Sequence, residues 1–196
     1  MTGDRVADDD GRAELMSRRA RLAEVLEAAR SRGDLGARPV EWVVDHSQAF
    51  VQALSSVEGR VADLGSGAGV PGLVIAVERP DLDVVLVDRR RHRADRLELA
   101  RRRIPVENVQ VRCVDAERVV AEDPNSFDAI VARSFGPPEE TLEIAAALVR
   151  PGGRVVLSEP PPEVERWDSS SIGRNLGLTV VDRGRVIVFR AADLPG

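Results

Sequence analysis

The chemistry in this chain is concentrated between Val61 and Gly72. A short apolar strand, Val61 to Leu64, carries an acid at Asp63 and runs into Gly65, Gly67 and Gly69, with Val70-Pro71-Gly72 behind them. Alternating glycines let the backbone turn sharply and let a ligand approach where Cβ atoms would otherwise stand. A helix starting near Pro71 would offer free N–H groups to a polar ligand. The acid suits a ligand with a cationic end. A tight turn with no ligand needs fewer glycines than these.

Two ligand classes use such a loop. Gly67 to Gly72 satisfies G-x-G-x-x-G, and Asp88 lies about as far downstream as the acid that binds a dinucleotide's ribose. Dinucleotide folds usually hold an apolar residue where Asp63 stands. S-adenosylmethionine-dependent methyltransferases hold Asp or Glu there, beside a ligand whose amino-acid end bears an ammonium. Asp63, Gly65, Gly67, Gly69 and Val70 are therefore read as a cofactor loop for S-adenosylmethionine. Asp88 ends the second strand, where an acid accepts ribose hydroxyls, although an Asp there also caps helices. Asp115-Ala116-Glu117 follows the third strand, the turn that faces the adenine in such folds.

Residues 127–138 cross a fourth strand and leave at its C-terminal end, where ligands of parallel sheets lie. Arg133 leaves the strand there, which is costly unless it meets a carboxylate, a phosphate or a polar ligand. It is the candidate catalytic residue and a further cofactor contact. Phe135 either stacks on an acceptor base or fills the core. Arg89, Arg90, Arg91, His92, Arg93 and Arg96 open the next Rossmann helix, against the helix dipole. Phosphate contact accounts for that placement, so Arg90, Arg91 and Arg93 are candidate substrate-binding residues. A solvated helix face, with Asp95 and Glu98 as partial counter-charges, is the plainer account.

The elements that must position these residues change character along the chain. Residues 1–11 are polar and acidic and read as disordered. A helical extension over 12–56 holds a helix from Ala13 to Arg30 and a second with Val40, Val43, Val44, Phe50, Val51 and Leu54 inward. From residue 57 strands and helices alternate, with strands at Val61–Leu64, Val84–Asp88, Val109–Val114, Ala129–Ala132 and Val155–Ser158. Helices fall at Pro71–Glu78, Arg90–Arg103 and Pro138–Val149. Short β-branched strands separated by helices imply a parallel sheet covered on both faces. Leu178–Asp182 and Val186–Arg190 are joined by only three residues, too few for a crossover, so they pair antiparallel. The expected fold is α/β: a doubly wound, mostly parallel Rossmann-like sheet of the class I methyltransferase kind, ending in an antiparallel hairpin and preceded by helices.

Composition bounds the rest. The 196 residues suit one domain with a short N-terminal extension, and no apolar run is long enough to cross a membrane. A single cysteine excludes an internal disulfide and fits a reducing compartment. The net charge of -5 leaves nucleic-acid affinity to local patches. Without tyrosine there is no Asn-Pro-Pro-Tyr element for methylating exocyclic amines, and Cys113 lies within a strand, which argues against a thiol nucleophile. His46 and His92 make no metal spacing, so no metal is expected. An acceptor that is already a nucleophile remains the easy case. Guanine N7 qualifies, because its lone pair is free and no proton must leave before attack.

Asp63 to Gly72, Asp88, Ala116-Glu117 and Ala132-Arg133-Ser134-Phe135 together resemble the RsmG (GidB) family, the 16S rRNA guanine-N7 methyltransferases. The resemblance spans roughly residues 36–190, with His46 in the second helix and the closing hairpin. It implies cofactor contacts at Gly65, Val70, Ala116-Glu117 and Arg133. It also implies small-subunit ribosomal RNA or the 30S particle as partner, and a monomer acting in the cytoplasm. Where the family usually has Lys-Gly after the fifth strand, this chain has Ser158-Glu159-Pro160-Pro161-Pro162, and its N-terminal region lacks the family's Asn-Leu-Thr segment. A methyltransferase acting on a small molecule, and a member that binds cofactor or RNA without turnover, remain open.

Overall fold

The computed structural model of the chain describes residues 3–159 and 170–193. Its strands are β1 (Gly59–Leu64), β2 (Leu82–Val87), β3 (Val109–Arg112), β4 (Phe127–Ala132), β5 (Val149–Ser158), β6 (Leu178–Arg183) and β7 (Val186–Ala191). Its helices are α1 (Gly3–Ser31), α2 (Val40–Ala53), α3 (Gly72–Glu78), α4 (Arg91–Arg103), α5 (Ala116–Glu122), α6 (Pro138–Leu148) and α7 (Ser170–Asn175). The strands form one sheet in the order β3-β2-β1-β4-β5-β7-β6. Pairings from β3 through β5 are parallel, while β7 runs antiparallel to both β5 and β6. The short link Arg183-Gly184-Arg185 thus makes the hairpin its length required.

Strand side chains alternate between faces, and both faces are covered. Val61, Val84, Leu86, Val131 and Val156 pack on the side of α1 to α4, with Leu26, Phe50, Leu73 and Leu97. Ala62, Leu64, Val85, Ile130 and Leu157 face the opposite way, toward α5 and α6, with Leu142 and Leu148. Burial on both faces explains why the central strands read as unbroken apolar runs. Each fully buried Val or Leu contributes roughly 1.5–3 kcal/mol. Asp63 lies on the first of these faces, between Val61 and α3, and is only 1% exposed.

Register sets the functional edge. Leu64 pairs with both Val87 and Ala132, Ala132 pairs with Leu157, and Val87 pairs with Arg112. The following residues Gly65, Asp88 and Arg133 therefore leave the sheet side by side along one rim, with Ser158 at the end of β5 beside them. The strand order reverses at β1, so this rim is the switch point at which open α/β sheets bind ligands.

Several features differ from expectation. β5 begins at Val149, ahead of Val155, and β3 ends at Arg112, so Cys113 lies just beyond the strand and is only partly buried. α1 begins at Gly3, ahead of the expected start at Ala13 and within the stretch read as disordered. Two short helices, α5 and α7, carry too few residues to show a clear apolar period.

Candidate functional site

The turn after β1 is built from its glycines outward. Gly67 has φ +57°, and a Cβ there would meet nothing nearer than Gly65 O at 3.6 Å and Arg93 Nη1 at 3.8 Å. It would stand in open cavity. Gly69 and Gly72 answer to packing instead: a Cβ would fall 2.3 Å from Leu73 Cδ1 at the first and 2.2 Å from Leu86 Cδ2 at the second. The Gly72 N–H donates to Asp63 Oδ2 at 3.1 Å, so this helix-start amide is held by the protein itself. Gly65 is fixed by φ +67° and by Phe135, whose Cδ2 would lie 2.8 Å from a Cβ at that position.

The rim holds two adjoining lobes. One, of about 450 Å³, is lined by Asp88, Arg90, Asp115, Ala116, Glu117 and Phe135. The other, of about 510 Å³, is lined by Trp42, His46, Val70, Arg133, Ser158 and Glu159. Gly65, Arg93 and Ser134 border both, so the space is continuous. Both volumes lie in the range of small-molecule sites. Ser134 takes φ +58°, unusual for a residue with a side chain, and this turns the chain between the lobes.

In the first lobe, Asp88 Oδ2 accepts the Gly67 N–H at 3.0 Å and Oδ1 accepts the Arg90 N–H at 2.9 Å. Each oxygen keeps a second lone pair directed at other donors. The cap of α4 is Arg90, so Asp88 ties the glycine loop to that helix from outside it. Asp115 precedes α5 without a side-chain hydrogen bond to it; Ala116 is buried and Glu117 exposed.

Asp63 and Arg133 form the electrostatic centre. Asp63 Oδ1 is buried with no hydrogen-bond partner. Burial pushes its carboxyl up to about 7, against the pull of the Gly72 amide, Ser66 and Arg133. Burial also lowers the Arg133 guanidinium, while attraction to Asp63 acts the other way. Among the described residues Arg133 has no ion pair within contact range, so its charge is balanced at a distance.

The second lobe has a wall that the spacing of apolar residues did not single out. Arg38, Trp42, His46 and Phe50 recur every fourth residue along α2 and its approach. The Arg38 guanidinium lies 4.9 Å over the Trp42 ring. Trp42 and His46 stack with centroids 5.2 Å apart and planes 6° from parallel, and His46 meets Phe50 edge-on. Burial, then Arg133 and Arg185, lower the His46 imidazole below its ordinary value. The i, i+4 repeat was the available signal.

The arginine cluster divides. Arg90 and Arg93 line the first lobe, with Arg93 Nη1 3.8 Å from Asp88 Oδ2. Arg91 points into solvent, 81% exposed, and pairs with Asp95 at 3.3 Å. Arg96 pairs with Asp34. Phe135 packs against the second core face and the glycine loop, in the lobe of Asp88 rather than that of Glu159. Among the described residues no three His, Cys, Asp or Glu side chains are grouped to hold a metal ion.

Residues 39–160 match the GidB family model, described as rRNA small subunit methyltransferase G. The chain is 36% identical over 140 residues to "Ribosomal RNA small subunit methyltransferase G" of Mycolicibacterium gilvum, covering 69% of this chain and 62% of that protein. It is 40% identical over 143 residues to the protein of the same name from Novosphingobium aromaticivorans, covering 69% and 61%. The chain thus matches about three fifths of the length of these curated relatives. Among solved structures it is similar to YcgJ of Bacillus subtilis (TM-score 0.59, 18% identity, 71% of this chain and 70% of that one). It is also similar to a 16S rRNA (adenine(1408)-N(1))-methyltransferase of Catenulisporales acidiphilia (TM-score 0.55, 17% identity, 76% and 93%). At these identities the structural likeness speaks to the fold.

Proposed function

The chain belongs to the GidB family, rRNA small subunit methyltransferase G, and from that premise we propose that it transfers a methyl group from S-adenosylmethionine to N7 of a guanosine in small-subunit ribosomal RNA. The observation that carries the reading is the continuous two-lobed rim, open at Gly67, with the partnerless oxygen of Asp63 buried beneath the glycine loop. Both features fit this cofactor. An ammonium near Asp63 supplies the donor and the charge that the buried carboxylate lacks, and the bare Cα of Gly67 leaves room for the ligand.

S-adenosylmethionine, when bound, supplies an electrophilic methyl group on a sulfonium. The free lone pairs of Asp88 accept ribose hydroxyls while its backbone bonds hold the glycine loop in place. The Asp115-Ala116-Glu117 turn and Phe135 bound the adenine end. Arg133, lining the second lobe and only partly compensated by Asp63, contacts the polar end of the cofactor. Guanine N7 enters from the lobe of Trp42 and His46. No proton need leave N7 before attack, so the residues act by positioning and by excluding water. No helix among the described residues is long and apolar enough to cross a membrane, and a ribosomal RNA acceptor would be met in the cytoplasm.

The test incubates the protein and labelled S-adenosylmethionine with 30S particles, naked small-subunit rRNA and a set of small acceptors. Label recovered as 7-methylguanosine from RNA is the expected result. Label confined to a small metabolite would refute the RNA assignment, and no turnover alongside cofactor binding would leave a binding protein.

A further inference from the structure

The acceptor lobe is lined by two carboxylates that the methyl-transfer reading does not use: Asp34, which is paired with Arg96 and Arg32, and Glu159. Glu159 follows β5 directly, and its backbone N–H donates to Arg185 O at 3.1 Å, which fixes the start of its side chain. Among the described residues its Oε2 is buried without a hydrogen-bond partner and stands 4.0 Å from Arg183 Nε. The side chain is 14% exposed, and burial raises its carboxyl above the ordinary value with Arg183 opposing. Across the same lobe stand Trp42, 44% exposed, and His46, with Arg38 over the indole. An acid sharing a lobe with an aromatic and guanidinium column suits a flat ligand with N–H donors on one edge.

Resting on the reading above, we propose that Glu159 selects guanine by accepting hydrogen bonds from its Watson–Crick edge. Guanine presents N1–H and the 2-amino group side by side, two donors that a carboxylate lining the lobe can accept. Adenine offers a lone pair at N1, which the carboxylate repels. N7 lies on the opposite edge of the purine, so a base held through N1–H and the amine keeps N7 free to face the cofactor lobe. Aromatic rings and guanidinium planes are the surfaces on which unpaired RNA bases stack while their Watson–Crick edges are read. Glu159 is here a specificity-determining residue; it takes no part in the transfer itself.

The experiment uses small-subunit rRNA transcribed with a fraction of its guanosine replaced by inosine, which keeps N7 and N1–H but lacks the 2-amino group. The full chain methylates this RNA with labelled cofactor, and the ratio of 7-methylguanosine to 7-methylinosine is read after digestion, corrected for the guanosine-to-inosine composition. Internal competition makes the ratio independent of how much enzyme is folded. Wild type should favour guanosine roughly tenfold, the worth of one hydrogen bond to a charged acceptor. Glu159→Ala should bring the ratio close to one. The near-isosteric Glu159→Gln, which turns a donor toward the base, should lower it several-fold and serves if the alanine variant does not fold. A wild-type preference that survives in either active variant, or its absence in wild type, would overturn the assignment to Glu159. No methylation of RNA by wild type would instead defeat the methyltransferase reading, and this proposal with it.

Discussion

Replacing Asp63 with asparagine should make the protein more stable at alkaline pH while removing its cofactor affinity. Asp63 sits in the core, with one oxygen on the Gly72 N–H and the other without a partner. Its carboxyl is raised from 3.8 to about 7, chiefly by burial. The folded state therefore holds a proton that the unfolded chain has released throughout that window. Stability contributed by the protonated form is complete below the unfolded value and falls as pH rises, with the loss complete just above the folded value. Each unit costs about 1.4 kcal/mol, so ionised Asp63 destabilises the fold by roughly 4 kcal/mol at pH 8. Asparagine has nearly the same shape and never ionises. Its amide nitrogen adds an unsatisfied donor, a cost that is the same at every pH. Urea unfolding of both proteins at pH 5 and pH 8 removes that constant by double difference. About two units of the window lie between these conditions, so the variant should gain about 3 kcal/mol on wild type from the lower pH to the higher. Calorimetry with S-adenosylhomocysteine should show tight binding by wild type and none by the variant. A stability difference that does not change with pH would refute the assignment of an elevated buried carboxyl. Unchanged affinity in the variant would refute its role at the cofactor's ammonium.

Gly67→Val should abolish S-adenosylhomocysteine binding in the same calorimeter while costing about 1–2 kcal/mol in urea unfolding, because its Cβ enters the cavity and meets a left-handed φ but no protein atom nearer than 3.6 Å; binding at wild-type strength would show that the ligand lies elsewhere. Arg133→Ala should lower turnover far more than stability, since burial already disfavours its charge and no close ion pair is broken; a folding loss of several kcal/mol with turnover preserved would make it a structural ion instead. The arginines of α4 should separate: Arg91→Ala should leave cofactor affinity intact and reduce the salt slope of RNA binding by about 0.7–0.9, the effect of one phosphate contact. Arg93→Ala should weaken cofactor binding as well, because Arg93 borders both lobes beside Asp88. An Arg91→Ala salt slope equal to wild type would mark Arg91 as a solvated side chain.

The sequence by itself determined the frame. Apolar β-branched runs of strand length can be buried only in a covered sheet, and a three-residue link admits only a hairpin, so the mostly parallel sheet with its reversed end was legible from local pattern. Asp63, the glycines and Asp88 were legible for the same reason, since backbone turns and strand ends have local requirements. What each group touches was decided by packing. Gly65 and Gly67 border the cavity while Gly69 and Gly72 make room for Leu73 and Leu86, a division that depends on which side chains the neighbouring elements bring. The amide of Gly72 is held by Asp63, and Phe135 packs over the glycine loop, two contacts that spacing could not specify. Arg93 turns toward the cavity while Arg91, two positions earlier in α4, faces solvent, because successive helix positions differ by about 100° in direction. Arg90 reaches the cavity from the cap, outside the helix. The meeting of Trp42 and His46 with Arg133 and Glu159 belongs wholly to the tertiary structure. These residues lie far apart in the chain, and only the seating of α2 against the sheet, with the common register of β4 and β5, brings them to one lobe.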